Sequence, residues 1–364
     1  MNRRYNQLSL LCALLFIAGA TARHAEAEPY LALTMGLKCS ACHVNPTGGG
    51  LRNTFGSVWG QTGLPARTLG TTEPWTGELN RHIAIGADLR GGATFLDQPG
   101  SKGMSSFDLN SLRAYVDLRP IPEFLALYID ERLAPGAANN AEAYVRAWTV
   151  GRRFYVKAGQ MYLPYGIRLQ DDSAFTRQAT GINFNTPDRG LELGFDGTRW
   201  TAQFAVSNGT AGAPETDNGK QWSLRSEYVA GRWRAGASFN VNDLQAGTRR
   251  MQDVFGGVKT GPVVWLGEVD YIVDDSAGPR RRQLAGLAEA DWKLAPGQNL
   301  KFTAEAFDPD RDAARDRQTR LSLVWEYTPL PFVQLRAGVR NYDDVQEVPF
   351  YNQRVVFLQL HGFL

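Results

Sequence analysis

The sequence predicts an all-β protein, an antiparallel barrel of sixteen strands that follows a small N-terminal domain. From about residue 80 to the end, segments of about ten residues alternate between apolar and polar side chains. One such segment places Leu321 and Leu323 on one face and Arg320 and Ser322 on the other. Alternation with a period of two residues predicts β-strands whose two faces meet different environments.

Seven short turns recur through this region and set the number of strands. They lie at residues 120–122, 151–153, 196–198, 230–232, 260–262, 295–297 and 329–331. Seven short turns on one side, with both ends of the sheet on that side, require sixteen strands joined by longer loops on the other side. An even strand number with an apolar outer face is typical of outer-membrane β-barrels. A soluble β-sandwich is the alternative, but it would leave sheet edges that closure of a barrel removes.

The first 27 residues have the pattern of a secretory signal peptide. Arg3 and Arg4 precede an apolar run from Leu8 to Ala18, and small-residue cleavage sites end at Ala22 and Ala27. The apolar run is too short to span a bilayer as a helix. We therefore expect an exported protein with three parts: a signal peptide (1–27), an N-terminal domain (28–78) and a transmembrane barrel (79–364).

The N-terminal domain contains a Cys-x-x-Cys-His motif formed by Cys39, Cys42 and His43. This spacing is the attachment pattern of c-type haem. One turn of chain places both thiols along one porphyrin edge, and the histidine that follows becomes the proximal iron ligand. A redox thiol pair beside an unrelated histidine is the alternative, but such pairs belong in a βαβ setting, which is not visible here. The motif predicts one haem c per chain, bound covalently to Cys39 and Cys42.

Two histidines of the barrel are candidates for the distal iron ligand. In the alternation of inward and outward side chains, both histidines occupy inward-facing positions. His82 lies near the start of the first strand, and His361 lies near the end of the last strand. These strands are neighbours in a closed barrel, and both positions lie at the end where the N-terminal domain enters. His82 is the first candidate and His361 the second. Met35, Met104, Met161 or an open site remain as alternatives.

Composition limits the partners of the chain. The formal net charge of the 364 residues is +2, and removal of the leader leaves equal numbers of basic and acidic side chains. This balance gives no indication of nucleic-acid binding. Of the three cysteines, Cys12 lies in the leader and the others in the haem motif, so no disulfide framework is expected.

The inward-facing barrel residues are of mixed charge. Strands eleven to thirteen lean acidic, whereas strands fourteen to sixteen and the first two lean basic. We expect a balanced, wet lumen, with a transverse field that guides ions as the alternative. The longest loop, residues 163–189, is long enough to fold inward and narrow this lumen. The outer loop at 308–312 begins like a calcium loop but lacks the later glycine and glutamate, so a solvated loop is expected there.

The chain resembles a family of fused outer-membrane cytochrome–porins, in which a monohaem domain precedes a sixteen-stranded porin. The resemblance covers the architecture of the mature chain, and its specific motif is the haem stretch with Pro29 and Thr34-Met35-Gly36 before the cysteines. The best-known members oxidise extracellular ferrous iron, so the resemblance implies Fe²⁺ as a candidate donor. The barrel segment 156–160, followed by Leu163-Pro164-Tyr165-Gly166, is also similar to phosphate-selective porins.

These features predict electron transfer across the outer membrane of a Gram-negative bacterium. Electrons would pass from an extracellular donor, through one haem, to a periplasmic c-type cytochrome or similar carrier, with membrane lipid around the barrel. If iron is the donor, the protein is an extracellular ferrous-iron oxidase. The alternative is a diffusion porin for small ions or anions whose haem domain is a plug or sensor. A third option, a peroxidase-like haem enzyme, requires an open sixth site.

Overall fold

The computed structural model describes residues 28–70, 73–149, 151–182, 186–276, 278–343 and 352–364. The predicted signal peptide lies outside these residues. The described helices are α1 (Pro29–Met35), α2 (Thr54–Thr62) and α3 (Phe175–Thr180), and a 3₁₀ turn covers Cys39–Ala41. None of these described helices has the length and apolarity that a membrane-spanning helix needs.

The rest of the fold consists of β-strands. They are β1 (Glu78–Asn80), β2 (Ile83–Asp97), β3 (Met104–Ile121), β4 (Leu125–Ala134), β5 (Asn139–Trp148), β6 (Phe154–Met161), β7 (Asp188–Asp196), β8 (Trp200–Ser207), β9 (Gln221–Ala230), β10 (Trp233–Leu244), β11 (Gly247–Thr260), β12 (Val263–Asp274), β13 (Arg281–Ala295), β14 (Gln298–Asp308), β15 (Gln318–Leu330), β16 (Val333–Asp343) and β17 (Gln353–Phe363).

Strands β2 to β17 form a closed barrel. Each strand pairs antiparallel with the next in sequence, and β17 pairs with β2, which places His361 opposite Arg90. In the described part of the chain this makes sixteen barrel strands, so the predicted strand number and closure are confirmed. The short strand β1 only extends the sheet beside β2.

The barrel wall separates an apolar exterior from a polar interior. On β15, Leu321 and Leu323 are 51% and 43% exposed, whereas Arg320 and Glu326 are each 1% exposed. Exposed tryptophans also lie on the outer face: Trp200, Trp222, Trp233, Trp265 and Trp292. An apolar belt flanked by aromatic residues is the surface that a barrel presents to lipid.

The N-terminal segment, residues 28–70, packs inside the barrel and is called the plug below. Helix α1 begins with Pro29, whose fixed φ suits the first turn of a helix, and ends at Gly36 in the left-handed conformation. Leu31 and Leu33 of α1 are buried in a cluster that includes Val264 of β12. A segment this short cannot build a substantial core alone. The barrel wall supplies the missing apolar surface.

The plug lies at the end of the barrel that carries the short turns. Lys38 forms an ion pair with Asp196, the last residue of β7, next to the turn between β7 and β8. The backbone N–H of Ala66 donates to the carbonyl of Thr328, 2.8 Å away, next to the turn between β15 and β16. These contacts fix the plug to the rim.

The long loop after β6 folds into the lumen. Its described residues 163–182 are called the lumen loop below. Leu163 and Tyr165 are buried against the wall, and the N–H of Phe175 at the start of α3 donates to Glu305, 2.8 Å away. Arg177 of α3 forms an ion pair with Glu268 of β12. The predicted inward folding of this loop is therefore confirmed.

Buried charges of the lumen are widely paired across neighbouring strands. Lys157 lies 3.0 Å from Glu192, and Arg336 lies 3.1 Å from Glu326. Arg320 forms an ion pair with Glu305. This pairing agrees with the expectation of a lumen balanced in charge, because a buried charge without a partner is costly.

Candidate functional site

The Cys-x-x-Cys-His motif forms one compact turn at the inner face of the plug. Cys39 begins the 3₁₀ turn, and its carbonyl accepts from the N–H groups of Cys42 and His43 at 3.1 and 3.0 Å. His43 and Arg52 form an antiparallel bridge, so the glycine-rich segment between them doubles back on itself. The described structure leaves both cysteines as free thiols.

Asn53 joins this motif to helix α2. Its side-chain oxygen accepts from the N–H of Gly56 at 3.0 Å and so caps the helix, while its amide nitrogen donates to the carbonyls of Ser40 and Ala41. The backbone N–H of Asn53 also donates to Cys42. The start of α2 is therefore fixed against the motif from two directions.

Two glycines allow the chain to pass close to the thiols. A Cβ at Gly56 would lie 2.1 Å from the carbonyl oxygen of Cys42, so α2 could not pack there with any other residue. Gly48 has a φ of +92°, and a Cβ on it would lie 3.3 Å from the Cβ of Cys39. A side chain at either position would push against the motif.

A cavity of about 370 Å³ lies between the plug, the barrel wall and the lumen loop. Cys39, Cys42 and His43 line it from the plug, and Gln170 and Asp171 line it from the lumen loop. Its volume is within the range of ligand pockets in proteins. The motif thus faces a partly open space inside the barrel.

The imidazole of His43 is suited to bind a metal. Burial, with the nearby Arg52 guanidinium, lowers the pKa of His43 to about 3, so the ring is neutral at physiological pH. The neutral ring is the form that coordinates metals. Its Nδ1 atom is buried and forms no hydrogen bond of ordinary geometry among the described residues, with the backbone of Gly49 and Gly50 beside the ring. Burial also raises the pKa of the Cys42 thiol to about 11, which keeps this sulfur protonated until it reacts.

The cavity wall is rich in arginine. Among the described residues that line it, seven are arginines and four are acidic. The arginines are Arg52, Arg90, Arg113, Arg132, Arg168, Arg336 and Arg340. Four of the seven come from the first two barrel strands (Arg90 and Arg113) and from β16 (Arg336 and Arg340), which agrees with the predicted basic side of the lumen. The cavity is therefore suited to a ligand that carries carboxylate groups or another negative charge.

The two histidines predicted as distal ligands lie in different places. His361 is 3% exposed and lines the cavity. Its Nε2 lies 2.7 Å from Asp88 and its Nδ1 lies 3.1 Å from Gln334. This prediction of an inward position is confirmed, whereas its role on a metal stays a prediction.

The predicted inward position of His82 is wrong. This residue lies in the turn between β1 and β2, is exposed, and places its Nδ1 2.9 Å from the carbonyl of Arg119. It is not among the described residues that line the cavity. The expected parity fails because the register shifts between Glu78 and Asn80 and the chain leaves the sheet at the turn.

Three other residues are more prominent in the cavity than the sequence predicted. Met35, which the sequence offered only as an alternative ligand, lines the cavity from the end of α1. Arg52 stacks over the Phe363 ring at 4.4 Å, and Arg168 donates to the carbonyl of Gly48 at 2.6 Å. The plug and the lumen loop both had to be placed before these contacts could be found.

These residues fit a covalently bound haem c. The two thiols and the neutral His43 ring face one cavity, the bare Gly48 leaves space beside Cys39, and guanidinium groups, which bind carboxylates, line the same cavity. Cys39 also has Arg234 of β10 as a neighbour, with 3.8 Å between Sγ and the guanidinium nitrogen.

Known structures match the barrel. OmpT, an outer membrane protein of Vibrio cholerae, is 16% identical with a TM-score of 0.61, over 79% of this chain and 99% of OmpT. The fold is that of a porin-type outer-membrane barrel. The anion-selective porin from Comamonas acidovorans is 10% identical with a TM-score of 0.62, over 78% of this chain and 99% of the porin. The outer membrane channel DcaP of Acinetobacter baumannii is 14% identical with a TM-score of 0.60, over 78% and 97% of the two chains.

No protein-family model matches the chain, and no curated protein matches it. At these identities the structural likeness establishes the porin-type fold and leaves the chemistry of the plug to be argued from its own residues.

Proposed function

We propose that this porin-type barrel is an electron-transfer protein of the outer membrane, with one haem c on Cys39 and Cys42 and with His43 as proximal ligand. The supporting observation is that both thiols and His43 line one cavity between the plug, the wall and the lumen loop. A haem bound there supplies an iron that accepts and releases one electron. An extracellular donor and a periplasmic carrier are the partners that this role requires.

The chain's own residues bind and orient the group. Cys39 and Cys42 hold it by thioether bonds, Asn53 holds their turn in place, and the neutral ring of His43 is available to the iron. Met35 and His361 are the two cavity residues suited to a distal position. Arg90, Arg113 and Arg336 line the same cavity, and a haem carboxylate there would compete with their contacts to Asp88, Tyr162 and Glu326, because arginine binds carboxylates with two parallel hydrogen bonds.

The packed lumen supports a conduit rather than an open pore. The plug and the lumen loop both pack inside the barrel, and Arg168 of the loop donates to the carbonyl of Gly48 of the plug. Charge cannot enter hydrocarbon at low cost, so a redox centre inside a closed barrel shortens the insulating distance. Ferrous iron is a candidate donor through the family resemblance alone.

A diffusion porin is the second candidate. The porin-type fold and the excess of arginine over acid in the cavity wall favour it, with small anions as solutes and the haem-bearing plug as a gate or sensor. In this case the plug must move or leave a path around itself.

One pair of measurements separates the two functions. Proteoliposomes that contain the haem-loaded protein are given an external reductant, and reduction of an enclosed acceptor is followed together with the ionic current of the same protein in planar bilayers. Reduction inside without a steady current supports the conduit. The Cys39→Ala/Cys42→Ala variant serves as the control, because it keeps the barrel but cannot hold the haem. A large, steady current and no enclosed reduction would establish the porin instead.

A further inference from the structure

Three carboxylates gather on the lumen wall away from the haem motif. Asp253 of β11 and Glu268 and Asp270 of β12 are 4%, 1% and 0% exposed. One oxygen of each lies within 4.8 Å of one oxygen of the others. Within the described parts of the chain this is the one such group of three or more possible metal ligands. We call it the acidic triad.

The strand register forces two of these charges together. Asp253 lies directly opposite Asp270 in the pairing of β11 with β12. Like charges directly opposite each other destabilise a pair of strands. The hairpin that joins these strands is short, so the two side chains cannot separate without a change of register.

Two members of the triad form no hydrogen bond or ion pair of ordinary geometry within the described part of the chain. Glu268 is satisfied, because it pairs with Arg177 and accepts from the N–H of Ile167 at 3.1 Å. All four carboxylate oxygens of Asp253 and Asp270 are buried without a hydrogen bond of ordinary geometry among the described residues, where the hydroxyls of Ser238 and Tyr165 are their polar neighbours. No ion pair within those residues involves either side chain. Burial of a carboxylate without a partner is strongly unfavourable.

A fourth oxygen points to the same place. The hydroxyl of Tyr165, on the lumen loop, lies against the three carboxylates, nearest to Asp270, and is also buried without a hydrogen bond of ordinary geometry in the described structure. Tyr165 is 3% exposed. An unsatisfied oxygen from a separate segment is an independent indication that something binds between the loop and the wall.

We infer that Asp253, Glu268 and Asp270 bind one hard divalent cation, Ca²⁺ in preference to Mg²⁺. Oxygen ligands are those that both ions prefer, and the described group contains no thiol or imidazole for a softer metal. Mg²⁺ keeps several of its waters, which a buried site accommodates poorly, whereas Ca²⁺ accepts irregular carboxylate geometry. The site is independent of the proposed haem function, since none of its residues lines the haem cavity.

The cation would fasten the lumen loop to the wall. Glu268 already holds the loop through Ile167 and Arg177, and Tyr165 belongs to the same loop. The N–H of Gly166, the next residue, donates to Ser238 of β10, 3.0 Å away and opposite Asp253 in the strand register. A bound cation therefore joins β11, β12 and the loop at one point, and its removal loosens the closure of the lumen.

The test uses the full mature chain in detergent, stripped with a chelator and then dialysed against CaCl₂ or MgCl₂. Bound metal is measured by elemental analysis, and thermal unfolding is followed by circular dichroism. We expect one equivalent of Ca²⁺ per chain and a higher Tm with Ca²⁺ than with the chelator. Tb³⁺ in place of Ca²⁺ should luminesce on excitation of tyrosine, and Tyr165→Phe should reduce this signal.

Asp253→Asn/Asp270→Asn is the decisive variant. It removes two charges at constant size, so it should fold, lose the bound equivalent and become insensitive in Tm to Ca²⁺. Without metal it should be at least as stable as the stripped wild-type chain, because the opposed charges are gone.

The matched control is Asp308→Asn/Asp312→Asn, which removes two charges from the end of β14 and the outer loop that follows, and which should keep the bound equivalent of Ca²⁺. Equal Ca²⁺ binding by the triad variant would overturn the proposal, as would an infrared band of a protonated carboxyl that persists in excess Ca²⁺ and is lost in Asp270→Asn.

Discussion

His361 of the last strand lies 2.7 Å from Asp88 of the first strand, between Nε2 and a carboxylate oxygen, and so joins the two strands that close the barrel. Its other nitrogen lies 3.1 Å from Gln334 of β16. Both ring nitrogens of His361 therefore contact side chains of the barrel wall. For His361 to bind iron it would have to give up one of these contacts, whereas Met35 lines the same cavity from the plug.

We expect His361→Ala to weaken barrel closure without changing the iron ligands. Loss of the contact to a buried carboxylate should lower the free energy of unfolding by roughly 1–3 kcal/mol. Urea unfolding in detergent measures this, with His82→Ala as the control, because His82 is exposed and its loss should change stability by less than about 0.5 kcal/mol.

Met35→Leu should change the iron spectrum and leave barrel stability nearly unchanged. Near-infrared and reduced visible spectra distinguish His/Met from high-spin iron, and replacement of the sulfur should convert the first into the second. A His/Met centre has a higher potential than a His/His centre, which suits a donor of high potential. If His361→Ala changes the spectrum and Met35→Leu does not, then His361 is the distal ligand.

The barrel could be predicted from the sequence because its signal is local. Alternation along each strand and the turns at its ends fix the number of strands and the face of each residue, and Arg320 and Glu326 are buried as expected. The inward position predicted for His82 was wrong because the alternation of inward and outward side chains holds only inside a strand. His82 lies in a turn next to a register shift.

The acidic triad could have been found by counting from one turn. The tight turn pairs Thr260, the last residue of β11, with Val263, the first residue of β12. Asp253 and Asp270 are equally far along the chain from these two residues, so the turn also places Asp253 opposite Asp270. The contacts of Tyr165 and Arg168 with the wall and the plug could not have been found in this way, since they depend on the path of the lumen loop.

Gly56→Ala should prevent the normal docking of α2 and reduce haem attachment. A Cβ at this position would lie 2.1 Å from the backbone oxygen of Cys42, and a backbone atom cannot move aside as a flexible side chain can. Haem content per barrel, measured as the pyridine haemochrome, should fall severalfold.

Gly60→Ala, in the same helix, is the matched control, because its nearest atom would be the Phe363 ring at 3.7 Å. Alanine improves helix propensity by about 1 kcal/mol, so this variant should keep its haem. Equal haem in both variants would show that the close approach is unimportant.

Tyr30→Phe should loosen the plug. The hydroxyl of Tyr30 donates to Glu326 of β15 at 2.7 Å in a buried setting, and hydrogen bonds to charged groups contribute roughly 1.5–3 kcal/mol. We expect more frequent brief openings in single-channel recordings and faster proteolysis within the plug. Tyr327→Phe, on the outer face of the same strand, should behave as the wild type. A variant of Tyr30 with unchanged recordings would mean that the apolar contacts of α1 hold the plug without this bond.

Asp171→Asn should release the lumen loop, and acid should not release it in the wild type until well below pH 4. Burial favours the neutral form of Asp171, but Arg340 and Arg320 outweigh it and hold the pKa of this carboxyl well below its usual range. The guanidinium nitrogens of these arginines lie 2.9 and 3.0 Å from the carboxylate. A depressed pKa contributes stability above the ordinary pKa of aspartate, about 3.9, and this stability is lost only as the pH falls toward the lower folded value.

The asparagine variant lacks the charge at every pH, so its bilayer current at pH 7 should already exceed that of the wild type at pH 4. Asp312→Asn, which breaks an exposed ion pair with Arg282, controls for a general loss of charge. An equal current from Asp171→Asn and the wild type across this range would show that the loop is held by its other contacts, those of α3 with Glu268 and Glu305.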